Sequence, residues 1–122
     1  MNTPLDSLHR AVARLGTVLS EPDSMTQREA SIHCFESTFE LGWKSIQSAL
    51  KRKGIDAATP RDCLDHAWRL GWIDDEDQWT RMLRDRILSS HTYKESVADD
   101  VYSRLRDHLR ELSLLADRLA KL

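Results

Sequence analysis

Apolar residues recur along this chain at intervals of three and four, and almost never at intervals of two. That period marks helices with one buried face; the alternation of half-buried strands is missing. Leu5, Leu8, Val12, Leu15 and Leu19 form a first stripe, opened by Thr3-Pro4 as N-cap and first-turn proline and ended by Pro22. A second stripe runs Ile32, Phe35, Phe39, Trp43, Ile46 and Leu50. Thr26 and Glu29 have capping-box spacing at its start, and Gly54 stands where a left-handed residue would close it. At about 28 residues this helix would be on the order of 40 Å long. Thr59-Pro60 repeats the opening signature and starts a short third helix with Leu64, Ala67, Trp68 and Leu70, stopped by Gly71. Four acids at 74–77 suit the first turn of a fourth helix, whose predicted apolar face is Trp79, Met82, Leu83 and Ile87. The last stripe, Ala98, Val101, Leu105, His108, Leu112, Leu115 and Leu119, runs to the C-terminus.

Amphipathic helices joined by short connections pack as antiparallel neighbours. The pattern therefore predicts an all-α protein, an antiparallel four-helix up-and-down bundle with one additional short helix, spanning residues 1–122 as a single domain. Trp68 and Trp72 bracket the third helix's end, either as a satellite core cluster or as a dimer contact.

Composition adds exclusions. With 18 Lys+Arg against 20 Asp+Glu the net charge is −2, so any attraction to nucleic acid must come from a local patch. Cys34 and Cys63 match no zinc spacing and are expected to be reduced thiols. The start, "MNTPLDSLHR", lacks a basic n-region and an apolar core, and no apolar run is long enough to span a membrane. The expected location is cytoplasmic. No phosphate-loop, dinucleotide-binding or nucleophile-elbow motif occurs. His9, His33 and His66 have no metal-ligand partners at useful spacing, and His108 falls on the last apolar stripe, as a core or interface residue would.

The stretch "LRDRILSSHTYKE", residues 83–95, carries Arg86, His91 and Tyr93 in the order R-x4-H-x-Y. On a continuous helix Arg86 and His91 would point about 140° apart, since each residue turns about 100°. Ser89 and Ser90, however, compete for the backbone, and Thr92 with Glu95 has capping-box spacing. A turn between Ser89 and Thr92 would let the two side chains converge on a phosphate, with Arg81, Arg84, Ser90 and Lys94 as further contacts. In "FESTFELGWK", residues 35–44, Glu36, Glu40 and Lys44 are spaced as a helical ion-pair ladder beside Phe35, Phe39 and Trp43.

In order, "FESTFELGWK", "TPRDCLDHAWRLGWI" and "WTRMLRDRILSSHTY" resemble the nucleotidyltransferase substrate-binding family, the HepT-like branch of the HEPN helical domains. The resemblance covers nearly the whole chain from about residue 30. It implies a helical bundle that forms a homodimer and associates with a separately encoded minimal nucleotidyltransferase. Many members are toxins of toxin–antitoxin pairs, acting as metal-independent ribonucleases, so no metal or cofactor is implied. By the motif, Arg86 and His91 would be the catalytic pair acting on RNA, and Tyr93 the acceptor of AMP from the transferase. Glu36, Glu40, Trp43 and Lys44 would offer a partner or substrate surface. The chain departs from the family at Ile87, where HEPN ribonucleases commonly carry Asn, Asp or His after the motif arginine. Two functions stay open: a ribonuclease toxin neutralised by its transferase, and a non-catalytic substrate-binding subunit of that transferase.

Overall fold

The computed structural model describes residues 3–91 and 94–122. They form α1 (Pro4–Leu19), α2 (Met25–Arg52), α3 (Pro60–Arg69), α4 (Glu76–Leu88), a 3-10 turn at Ser89–His91 and α5 (Glu95–Ala120), with no strand among them. No helix of these residues is long and apolar enough to cross a membrane.

Side-chain oxygens set most of the helix starts. Thr3 accepts from the Asp6 N–H at 3.0 Å while Asp6 accepts from the Thr3 N–H at 3.2 Å, a complete capping box. Thr59 and Asp75 accept from the N–H groups of Asp62 and Gln78. Two starts differ from the expected ones. α2 is capped by Ser24, which accepts from the Gln27 N–H at 3.0 Å, so Thr26 lies inside the first turn. The Gln27 side chain also donates to the Val18 carbonyl at 2.9 Å, tying the first turn of α2 back to the end of α1. α5 starts at Glu95 with Lys94 as its N-cap and no side-chain cap bond; the cap expected at Thr92 lies outside the described residues. Gly54 and Gly71 adopt φ of 77° and 78°, the left-handed conformation that closes α2 and α3. Past each glycine the chain folds back, Ile55 N–H donating to Leu50 and Trp72 N–H to Ala67, both at 2.9 Å.

Cross-helix contacts give the directions. Gln27 meets Val18 and Thr38 meets Ala11, so α1 runs antiparallel to α2. Tyr102 donates to Gln27 at 2.9 Å, His108 stacks on Phe35, and Leu112 faces Gly42, so α5 runs parallel to α2. Asp85 meets Arg104 while Gln78 meets His108, so α4 runs antiparallel to α5. Four long helices thus alternate up and down, with α3 inserted between the second and third. Leu8, Leu15, Phe35, Phe39, Ile46, Leu50, Leu105, Leu112 and Leu115 fill the centre. A Cβ at Gly42 would sit 3.0 Å from Leu112, so this glycine allows α2 and α5 their close approach.

The two tryptophans after α3 separate: Trp72 is buried in the core and Trp68 is exposed. Cys34 and Cys63 are free thiols, the first half-buried and the second buried, and burial pushes the Cys63 thiol up to about 11. The predicted face of α4 needs correction at its end. Trp79 and Met82 are buried, but Ile87 is 60% exposed and the next inward position is Asp85, only 2% exposed. Asp85 follows Met82 by three residues, so it shares the buried face, while Ile87, five residues on, is turned away from it.

Asp85 is the centre of a buried polar cluster. Arg104 donates Nε and NH2 to its two oxygens at 2.8 Å each, and His108 Nε2 lies 2.6 Å from Oδ2. His108 is fully buried, and Gln78 Nε2 lies 2.9 Å from its Nδ1. With the amide donating, the ring accepts at Nδ1 and donates from Nε2 to Asp85. Burial pushes the Asp85 carboxyl up, but the hydrogen bonds from His108 and Arg104 outweigh it and hold the carboxyl below its ordinary 3.8. A carboxyl lowered in the folded state stabilises above its unfolded value, and that contribution is lost as pH falls through the folded value. Asp85→Ala, leaving a buried imidazole and an arginine without their acceptor, is expected to cost about 3–5 kcal/mol at neutral pH. In urea titrations the gap between variant and wild type should close as pH falls below about 4; a gap unchanged down to about pH 2 would refute the account.

Candidate functional site

α4 ends at Leu88 because two serines turn their hydroxyls back on the helix. Ser89 donates to the Arg86 carbonyl at 2.6 Å and Ser90 to the Ile87 carbonyl at 2.7 Å. The chain tightens into the 3-10 turn Ser89–His91, and the His91 side chain is exposed. Arg86, one residue past Asp85, is turned about 100° from it and faces α2.

There it meets the acids of "FESTFELGWK". Arg86 Nε donates to Glu40 at 3.1 Å, and NH1 donates to Glu36 at 3.2 Å and to Ser89 at 3.4 Å. The side chains of Arg86, Glu36 and Glu40 are 28%, 27% and 36% exposed, a half-buried triad at the protein surface. Glu40 is also held from its own helix, accepting from Trp43 Nε1 at 2.8 Å. The ladder expected along α2 does not form. Glu36 and Glu40 pair across the bundle with Arg86, and the Lys44 ammonium lies 6.0 Å from the centre of the Trp43 ring. Residues 36 and 40 lie one turn apart on one face, so a single guanidinium reaches both.

The two polar stretches singled out in the sequence are therefore one site. It unites Arg86, Glu36, Glu40, Ser89 and, through Glu40, Trp43 and Lys44. The hydrogen bonds of Arg86 go to Glu36, Glu40 and Ser89 rather than to His91. Arg81, Arg84, Ser90 and Lys94 are exposed around α4 and the following turn, outside the triad. Tyr93 lies outside the described residues. Periodicity missed Asp85, the buried group that fixes the helix carrying Arg86. A signal existed: Asp85 and His108 are both polar and both stand on apolar stripes, the arrangement of two buried groups that satisfy each other. Among the described residues no three His, Cys, Asp or Glu side chains gather in a way that would hold a metal ion.

Chemically the site offers one guanidinium with NH2 carrying no protein hydrogen bond among the described residues, and five residues along the chain an exposed imidazole. Those are a donor for a phosphate oxygen and a group that can exchange a proton.

Known proteins share this architecture and sequence. A Haemophilus influenzae (strain ATCC 51907 / DSM 11121 / KW20 / Rd) protein named probable ribonuclease HepT is 34% identical over 94 residues, which is 73% of this chain. The match spans 64% of that relative's length. A crystal structure of a Thermus thermophilus protein superposes with a TM-score of 0.86 at 33% identity, covering 92% of this chain and 98% of the other. A Haemophilus influenzae structure, described as revealing the fold of a substrate binding domain of a nucleotidyltransferase, gives 0.83 at 27% identity, covering 95% and 98%. The family model described as nucleotidyltransferase substrate binding protein like matches residues 3–121, and the chain belongs to that family.

Proposed function

We propose that this protein is the helical partner of a separately encoded minimal nucleotidyltransferase and acts as a metal-independent ribonuclease, the toxin of a toxin–antitoxin pair. The observation that carries the reading is the half-exposed Arg86, fixed at the end of α4 with no protein hydrogen bond at NH2 among the described residues, five residues before the exposed His91. In this reading a single-stranded RNA lies over the end of α4. His91 takes the 2′-hydroxyl proton, the 2′-oxygen attacks the adjacent phosphorus, and the P–O5′ bond breaks, the 5′-oxygen taking a proton from water, to give a 2′,3′-cyclic phosphate and a 5′-hydroxyl. Arg86 stabilises the charge that builds on the phosphorane oxygens. Arg81, Arg84, Ser90 and Lys94 contact the backbone on either side, and the three cationic ones supply the positive patch that the net charge of −2 does not.

A second reading has its own support. Glu36 and Glu40 already occupy Arg86, and the apolar Ile87 stands exposed beside it, so the bundle can serve as a non-catalytic substrate-binding subunit of the transferase. Cleavage of RNA separates the two. Under the ribonuclease reading, activity survives EDTA and His91→Ala lowers it by roughly 100-fold or more, the usual weight of a general base. Activity lost on chelation and restored by magnesium rejects the mechanism, and activity unchanged in the variant rejects the role of His91.

The working unit in this proposal is a symmetric homodimer that brings two copies of Arg86 and His91 to one cleft. Exposed Ile87 next to the site is apolar surface that a second copy would cover. Sedimentation at micromolar concentration should show the dimer, and Ile87→Glu should weaken it; a wild-type monomer refutes this part.

Regulation follows from Tyr93, two residues past His91. AMP added to its hydroxyl puts negative charge and bulk two residues along the chain from His91, which opposes RNA entry. Incubation with the cognate transferase, ATP and magnesium should add one AMP mass to the intact protein, mapping to Tyr93 and absent from Tyr93→Phe. Tyr102, the only other tyrosine, is the internal control; its hydroxyl is already engaged with Gln27. AMP on Tyr102 alone, or on neither with an active transferase, defeats the assignment.

A further inference from the structure

The two carboxylates on Arg86 are not equivalent. Glu40 is braced: one oxygen accepts from Arg86 Nε at 3.1 Å and the other from Trp43 Nε1 at 2.8 Å. Among the described residues Glu36 makes its bond to Arg86 NH1 alone, and it also lines a groove of about 630 Å³ between the N-terminal half of α2 and the start of α5. It therefore has room to swing away by giving up one bonding partner, whereas Glu40 would have to give up its bond from Trp43 as well. The triad as a whole carries one positive and two negative charges, so a phosphodiester approaching Arg86 meets net repulsion. The geometry also shows where the phosphate would go. NH2 has no protein bond among the described residues, and NH1 is shared only by Glu36 and the Ser89 hydroxyl. Removing Glu36 would open the NH1–NH2 edge, the fork that takes a phosphate through two parallel hydrogen bonds.

We propose that Glu36 is a displaceable carboxylate latch on Arg86: a phosphodiester binds by replacing Glu36 on the guanidinium edge, while Glu40, braced by Trp43, keeps the arginine in position. The arrangement makes Glu36 a competitor of the substrate and Glu40 a positioning residue. It selects for ligands with enough additional contacts to offset the lost ion pair, so a single phosphate is held weakly and a chain of phosphates better. This deepens the assignment of Arg86 as a phosphate ligand made above and rests on it, but binding alone is enough to test it.

The probe is a fluorescein-labelled 2′-O-methyl decanucleotide, which has no free 2′-hydroxyl at its internal linkages and is not cleaved. Its affinity is measured by anisotropy for wild type, Glu36→Gln, Arg86→Ala and the double variant, each checked for an unchanged thermal melt. Glu36→Gln keeps the shape and removes the charge, so it should bind roughly fivefold tighter, the factor that corresponds to a half-buried ion pair of about 1 kcal/mol. The gain should vanish in the Arg86→Ala background, because the latch acts only through Arg86. In ¹⁵N spectra the Trp43 indole N–H, assigned with Trp43→Phe, should stay in place when wild type binds the probe and move in ligand-free Glu40→Gln. Equal affinity of wild type and Glu36→Gln overturns the latch, as does an equal gain with and without Arg86. A Trp43 signal that moves on probe binding overturns the division of roles, since Glu40 would then be the group displaced. Should wild type cut no RNA while the Arg86-dependent gain is present, the latch stands and the ribonuclease reading falls. His91-dependent cleavage without any gain in Glu36→Gln leaves the ribonuclease reading and removes the latch.

Discussion

A carboxylate with 2% of its side chain exposed has to be satisfied inside the bundle, and Asp85 is such a group. Its partners come from one helix: Arg104 and His108 are four residues apart on α5, so they lie on one face and reach the same carboxylate from neighbouring turns. The need to satisfy this charge fixes both the rotation of α4 about its axis and its height along α5. Apolar contacts alone would leave that register looser, since Trp79 and Met82 could slide against the leucines of α5 at small cost. A bidentate arginine pair and a 2.6 Å imidazole contact tolerate little sliding.

From that register the site follows. The three residues Arg84, Asp85 and Arg86 point three ways because each step turns about 100°. Arg84 goes to solvent, Asp85 to α5 and Arg86 to α2. With Asp85 fixed inward, Arg86 has a single neighbourhood, and its acids lie one turn apart on the facing helix. The buried ion cluster and the half-buried triad are two faces of one helical turn. The first sets position; the second presents a guanidinium at the surface with its charge more than balanced.

Much of this is legible in the sequence, for reasons that can be named. Thr3-Pro4, Thr59-Pro60, Gly54 and Gly71 encode local backbone geometry, and each does what local physics requires. The stripe of α5 is readable because one face of a long helix is buried from Val101 to Leu119. What escapes the pattern is non-local. Thr26 has the spacing of a cap, but Ser24 wins because Gln27 is anchored to the preceding helix. Glu40 has the spacing for Lys44, but a guanidinium from another helix offers a less exposed partner. Ile87 belongs inside by residue type, yet Asp85 takes the inward position because its partners wait on α5. A hydrophobicity pattern sees a charged residue and assigns it outward; only the complementary pair on the other helix reverses that.

The Asp85 cluster also divides the molecule by the kind of force that holds it. α1, α2 and α5 join largely through leucine, isoleucine and phenylalanine surfaces, which are indifferent to protons. α4 adds to its apolar contacts an ionised carboxylate in its last turn. Acid therefore acts on one flank first. Protonation of Asp85 is expected to loosen α4 while α1, α2 and α5 keep their packing, a sub-global opening of one flank. In that partly open form most of the helical signal persists, yet Arg86 has lost the frame that aims it at α2. The bundle and its candidate site then have different endurance in acid, and a measurement of helix content alone would overstate how long the site survives.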